Sequence, residues 1–292
     1  MVQYLYSNYP RMNISRICVC GAGTMGSGIA QAAAQAGFDT LLYELNPAVL
    51  EKAKAAIEKS CRGLVEKGRI REEEKNNILG RLHFTGNLQE CIAGIVIEAI
   101  AEKTDLKTAL FNQLAEINPG ETIFATNTSS LSVSRIAEQV QHPERVIGMH
   151  FFNPATIMRL VEVVNTPYTN ETTTQTVITL AKAMGKTPVL CKDAPGFIVN
   201  RVARPFYIES LRMLEEGSVS VEDADRVLEA TGFKLGPFRL MDLIGNDVNY
   251  AVSCSVYEQL GKPERLKPSF IQQQKVEQRK LGKKSGEGYY KY

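Results

Sequence analysis

Along the first two-thirds of the chain, short apolar runs alternate with longer stretches whose apolar positions repeat every three or four residues. That alternation of strand-like and helix-like periods predicts βαβ units built on a mainly parallel sheet. The strand-like runs fall at 16–20, 39–44, 94–98, 122–126, 146–150 and 160–165; the amphipathic stretches fall at 24–36, 47–67, 104–117 and 172–184. Asn46-Pro47 has the form of a helix N-cap followed by proline at the first helical position. After Asp193-Ala194-Pro195-Gly196 the rhythm changes, and only helical periodicity remains, over 197–215, 220–231, 238–260 and 267–280. The pattern predicts an α/β domain over residues 1–192, its first thirteen residues an extension, and an all-helical domain over 193–292.

Composition narrows the class. The apolar share of 44% and charged share of 23% are those of an ordinary globular protein. A net charge of +2 from 34 basic and 32 acidic residues is too balanced for a general nucleic-acid surface, so any anionic ligand must be held by local groups. No apolar run approaches the roughly 20 residues of a membrane span. The polar, Tyr-rich opening lacks the apolar core of a secretory signal. Six cysteines in 292 residues do not make a disulfide framework, which suggests a reducing, cytoplasmic setting. Cys18 and Cys20 flank Val19 in the first strand; a metal site is conceivable there, but they read as small buried hydrophobes, and no metal is expected.

The first chemical signal is Gly21-Ala22-Gly23-Thr24-Met25-Gly26, which follows an apolar strand and opens an alanine-rich helix. In that context Gly21 suits the tight turn, Gly23 the approach of backbone to a pyrophosphate, and Gly26 close helix–strand packing. A merely tight strand–helix turn is the competing explanation. Glu44, at the end of the second strand, stands 23 residues after Gly21, where a carboxylate accepts from a ribose diol and repels a 2′-phosphate. Leu45, Asn46 and Pro47 follow without an arginine, so the expected cofactor is NAD rather than NADP, in a Rossmann domain.

Two residues further on resist a purely structural account. His150 ends an apolar run at the sheet edge where ligands bind, and Glu162 interrupts the run Leu160-Val161-Glu162-Val163-Val164. A carboxylate buried in such a strand needs a partner. The histidine twelve residues upstream can supply one, and a His–Glu pair beside a nicotinamide is what alcohol oxidation requires. Asn127-Thr128-Ser129-Ser130 follows another strand; it can serve the site, cap the next helix, or both. His142 is expected in a surface loop and His83 in a strand, without a role.

At this point the chain resembles the 3-hydroxyacyl-CoA dehydrogenase family from Ile14 to Tyr292. The likeness rests on Gly21 to Gln31, Asn127 to Leu131, His150-Phe151-Phe152-Asn153-Pro154, Asp193 to Arg201, and Gly282 to Tyr290. It implies NAD-dependent interconversion of an (S)-3-hydroxyacyl-CoA, such as 3-hydroxybutyryl-CoA, with a 3-oxoacyl-CoA such as acetoacetyl-CoA. His150 then matches the catalytic base, Glu162 its partner, and Ser129 and Asn200 the holders of the reacting oxygen. Glu102, Lys107, Asn127, Asn153 and Lys284 match cofactor positions, beside the turn 21–26 and Glu44. Ser60 and Lys67, two helical turns apart, match positions touching coenzyme A, although the pattern alone fits a solvated face equally well. The resemblance also implies a homodimer through the helical domain. Glu44 stands where most relatives carry Asp, and Asn246 where an apolar residue is usual. The alternative activity is that of a related dehydrogenase for a small polar hydroxy acid of the gulonate or carnitine type; a redox-silent NAD-binding protein would have no need of the His–Glu pair.

Overall fold

The computed structural model describes residues 14–292, which divide after Asp193 into two compact units. The extension expected before Ile14 lies outside the described residues.

The first unit runs β1 (Arg16–Cys20), α1 (Thr24–Gln35), β2 (Asp39–Tyr43), α2 (Pro47–Glu66), α3 (Glu72–Gly80), β3 (Leu82–Thr85) and β4 (Ile95–Glu98). It continues with α4 (Thr104–Ile117), β5 (Ile123–Thr126), α5 (Val133–Ala137), β6 (Val146–Phe151), β7 (Leu160–Asn165), α6 (Glu171–Ala183) and β8 (Thr187–Lys192). Its eight strands form one sheet in the order β3-β2-β1-β4-β5-β6-β7-β8. The first six are parallel, in the arrangement of a doubly wound nucleotide-binding sheet. Strand order reverses between β1 and β4, and the crevice beyond the carboxyl ends of these strands is where such sheets bind ligands. β7 returns antiparallel to β6 and β8 pairs parallel to β7. Central strands are apolar on both faces because helices cover both: the consecutive residues Ile17, Cys18 and Val19, and Ile95, Val96 and Ile97, are all fully buried.

Two strands and two helices of this unit escape the apolar pattern. β3 and β8 are the edge strands, short or mostly exposed, and β8 carries Pro188, which an edge tolerates because one side of its ladder is unpaired. α3 and α5 are brief. The stretch 127–130 does not cap α5: that role belongs to Ser132, whose hydroxyl accepts from the backbone N of Arg135.

The second unit is helical: α7 (Val199–Glu215), α8 (Val221–Ala230), α9 (Pro237–Ile244), α10 (Asn246–Gln259) and α11 (Phe270–Glu277). The single helix expected over 238–260 is two, because Gly245 at φ 103° leaves the helical region between them. Asn246 has a structural explanation. Fully buried, it donates to an Asp242 oxygen at 2.9 Å, and Asp242 also accepts from the backbone N of Tyr289 and Tyr290 at 3.0 and 2.9 Å. A Cβ on Gly288 would lie 2.0 Å from the Asp242 carboxylate, so the C-terminal motif is a clasp closed on one buried aspartate. No helix among the described residues is long and apolar enough to cross a membrane.

Candidate active site

The glycine turn is built as its sequence demands. Gly21 has φ 101°, and a Cβ there would meet the Ala99 carbonyl oxygen at 2.6 Å; at Gly26 it would meet the Gly21 oxygen at 1.7 Å. These two glycines let β1, α1 and β4 approach one another. Gly23 differs, since a Cβ on it would meet nothing within 4 Å. The protein itself does not require that glycine, whereas a ligand lying on the backbone would. No side chain caps α1 behind Gly23, so the helix presents its first N–H groups and the positive end of its dipole. Glu44 reaches back to this turn: one carboxylate oxygen accepts from the Ala22 N and the other from the Asn46 N, both at 3.0 Å. The longer side chain thus holds a half-buried carboxylate against the turn, with Leu45 exposed beside it. Empty space at Gly23, uncapped N–H groups and a placed carboxylate fit a dinucleotide.

Across the switch point lies a network whose centre, Glu98, the sequence did not announce. Glu98, the last residue of β4, is fully buried, and one of its oxygens accepts from Lys107 Nζ and the Ile100 N, both at 2.7 Å. Its other oxygen accepts from Thr126 Oγ1 at 2.7 Å. Lys107, 1% exposed, also pairs with Glu102 at 3.1 Å. Glu102 in turn accepts from Thr128 Oγ1, the Ser129 N and Ser130 Oγ. Burial tends to raise the Glu102 carboxyl, but Lys107 and these hydrogen bonds outweigh it and hold the group below its ordinary range. The chain β4–Lys107–Glu102 therefore fixes the loop carrying Ser129. Asn127 secures the loop's start, its N donating to the Glu98 carbonyl and its Oδ1 accepting from the Phe151 N, both at 2.8 Å.

Register supplies the remaining pair. Because β6 and β7 are antiparallel, His150 stands directly opposite Glu162. The imidazole Nδ1 lies 2.7 Å from a Glu162 carboxylate oxygen, with the side chains 7% and 1% exposed, and the Phe152 ring packs 4.5 Å from the imidazole. A carboxylate on Nδ1 directs proton exchange to Nε2 on the far side of the ring. His150, Asn127, Glu98, Glu44 and Gly21 thus share one edge of the sheet.

The other expected site residues are placed as follows. Asn153 is exposed and precedes a cis peptide to Pro154. Ser60 and Lys67 lie exposed on α2 and at its C-terminal cap; Ser60 Oγ accepts from Gln31 Nε2 at 3.0 Å, and a groove of about 530 Å³ running along α2 includes Lys67 in its wall. Asn200 stands in the first turn of α7, and Lys284 Nζ pairs with Asp247, both in the helical unit. His83 pairs with Asp39 on the surface, and the exposed His142 pairs with Glu144. Another groove, of about 910 Å³, lies at the opposite end of the sheet, by Arg16 and Gly94, away from these groups.

A family model described as "3-hydroxyacyl-CoA dehydrogenase, NAD binding domain" matches residues 16–194, and its "C-terminal domain" counterpart matches 196–292. A curated relative from Escherichia coli K12, "3-hydroxyadipyl-CoA dehydrogenase", is 44% identical over 96% of this chain. The chain spans 59% of that relative's length. A "Probable 3-hydroxybutyryl-CoA dehydrogenase" from Deinococcus radiodurans is 40% identical over 94% of this chain and 99% of its own. Among solved structures, "(S)-3-hydroxybutyryl-CoA dehydrogenase PaaH1 from Ralstonia eutropha" superposes with a TM-score of 0.90 at 35% identity, covering 96% of this chain and 99% of that one.

Proposed function

The chain belongs to the 3-hydroxyacyl-CoA dehydrogenase family, and we propose that it interconverts (S)-3-hydroxyacyl-CoA and 3-oxoacyl-CoA thioesters, with 3-hydroxybutyryl-CoA and acetoacetyl-CoA as the model pair. NAD, when bound, accepts or returns the hydride. The buried His150–Glu162 pair at 2.7 Å carries this proposal. His150 takes the 3-hydroxyl proton through Nε2, and Glu162 fixes the ring and stabilises the imidazolium that forms. Ser129, on the loop held by Glu102, donates to the reacting oxygen; Asn200 joins it on the strength of the family resemblance. The turn 21–26 takes the pyrophosphate and Glu44 the ribose diol. Lys107 acts by holding Glu102, because two carboxylates already engage its ammonium. Asn153 and Lys284 complete the cofactor site, and Ser60 and Lys67 receive the CoA portion.

The test is NADH oxidation with acetoacetyl-CoA beside free acetoacetate. Turnover of the thioester alone supports the proposal. Reduction of small polar keto acids with no action on the thioester replaces it with the hydroxy-acid alternative. A homodimer through the helical unit is part of the same proposal, supported by exposed apolar side chains there such as Val202, Val227 and Phe233. Light scattering that gives a monomer mass at micromolar concentration removes that part.

A further inference from the structure

Cys18 and Cys20 lie two residues apart in β1, so their side chains share one face of the strand, and their sulfurs are 3.8 Å apart. Cys91 joins them from the turn before β4, and all three sulfurs lie within 4.8 Å of one another with no exposed surface. Asn118 holds the Cys91 segment in place: its Nδ2 donates to the Cys91 carbonyl at 2.8 Å and its Oδ1 accepts from the Ala93 N at 3.0 Å. A lone buried cysteine behaves as a small hydrophobe. Three with converging sulfurs, positioned by backbone and a buried amide, form a donor set.

Two observations select what that set can bind. Among the described residues no fourth His, Cys, Asp or Glu atom joins the cluster, whereas structural zinc takes four ligands. Charge is the second. Three thiolates around a monovalent or divalent ion leave negative charge on a site with no exposure, and unpaired buried charge is costly. Arg16, the nearby cation, is already paired with Asp39. A trivalent soft centre leaves no charge at all.

We infer that Cys18, Cys20 and Cys91 form a three-thiol trap for a trivalent thiophilic species of the arsenite class. Arsenous acid condenses with the three thiols: three As–O bonds break, three As–S bonds form, and the thiol protons leave with the hydroxyls as three waters. Arsenic stays trivalent and no electrons move. With thiolate bonds of about 2.3 Å and the angles of about 100° of a pyramidal, lone-pair-bearing centre, the sulfurs come to about 3.5 Å apart, so the widest pair need close by up to about 1.3 Å. Entry requires local opening of the turn before β4, so binding is slow.

The experiment incubates the full chain with arsenite under a phosphine reductant, desalts it, and measures native mass and arsenic content. The expected result is one arsenic per chain, with a mass gain of one arsenic less three hydrogens. The arsenic is lost in Cys18→Ala and Cys91→Ala and kept in Cys191→Ala and Cys254→Ala. Should a core variant fail to fold, alkylation of the denatured wild type decides, because Cys18, Cys20 and Cys91 alone should be protected. No retained arsenic, a gain matching two thiols, or protection mapping to Cys191 or Cys254 overturns the inference.

Discussion

Replacing Lys107 with methionine removes the one cation from the buried Glu98–Lys107–Glu102 network while keeping most of its volume. In the wild type Lys107 Nζ lies 2.7 Å from Glu98 and 3.1 Å from Glu102. The variant leaves the fully buried Glu98 with only the Ile100 N and Thr126 hydroxyl as donors. Stranding a buried charge this way costs about 3–5 kcal/mol. Burial already raises the Glu98 carboxyl above its ordinary range against the pull of Lys107, and losing Lys107 raises it further. The sign follows by linkage. A carboxyl raised in the folded state contributes stability present below its unfolded value and lost as pH rises through the folded one. The deficit of Lys107→Met is therefore smaller near pH 5 than at pH 7 and grows as pH rises between them. Adding Glu98→Gln removes the stranded charge and recovers at least about half of the loss. Urea unfolding followed by far-UV circular dichroism at both pH values measures all three proteins as shifts in midpoint at unchanged slope. A Lys107→Met deficit under about 0.5 kcal/mol, the range of a surface substitution, or one that stays flat with pH, refutes the reasoning.

Three further outcomes are expected. Wild-type protein prefers NADH to NADPH, and Glu44→Ser with Leu45→Arg narrows the ratio of kcat/KM values; equal use of both by the wild type contradicts the role of Glu44. Lys67→Ala raises KM for the CoA thioester with a smaller change in kcat, the pattern of lost uniform binding, and an unchanged KM returns Lys67 to the solvated face. Gly26→Ala, whose Cβ would lie 1.7 Å from the Gly21 oxygen, largely abolishes NADH binding by fluorescence titration; unaltered affinity shows that α1 can shift without harming the turn.

Much of the fold was legible because its central strands are buried on both faces and its turns carry glycine where glycine is needed. β1 and β7 match their apolar runs, and β2, β4, β5 and β6 differ by one residue at an end. What escaped follows from the same physics. β8 is an edge strand, so most of its side chains are exposed and a proline interrupts it. Gly245 breaks α9 from α10 without interrupting the apolar period on either side. Of the site, the glycine turn and the His150–Glu162 pair could be read because each violates local expectation, one by three glycines and the other by a carboxylate in an apolar strand. Glu98 violated nothing, since a carboxylate at a strand end looks solvated in sequence. Cys91 likewise gave no signal, because its partners lie about seventy residues earlier in the chain.

The account turns on a proton moving through His150 while Glu162 holds the ring. The most direct measurement is kcat for acetoacetyl-CoA reduction by Glu162→Gln, taken together with the Kd for NADH. Glutamine keeps the size of the side chain and can still accept from Nδ1, but it removes the charge that stabilises the imidazolium. The expected result is a kcat lower by about 10²–10⁴, the usual worth of general acid–base catalysis, with NADH affinity unchanged because the glycine turn and Glu44 stand apart from the pair. A variant that turns over at close to the wild-type kcat contradicts the dyad and leaves Glu162 a structural residue.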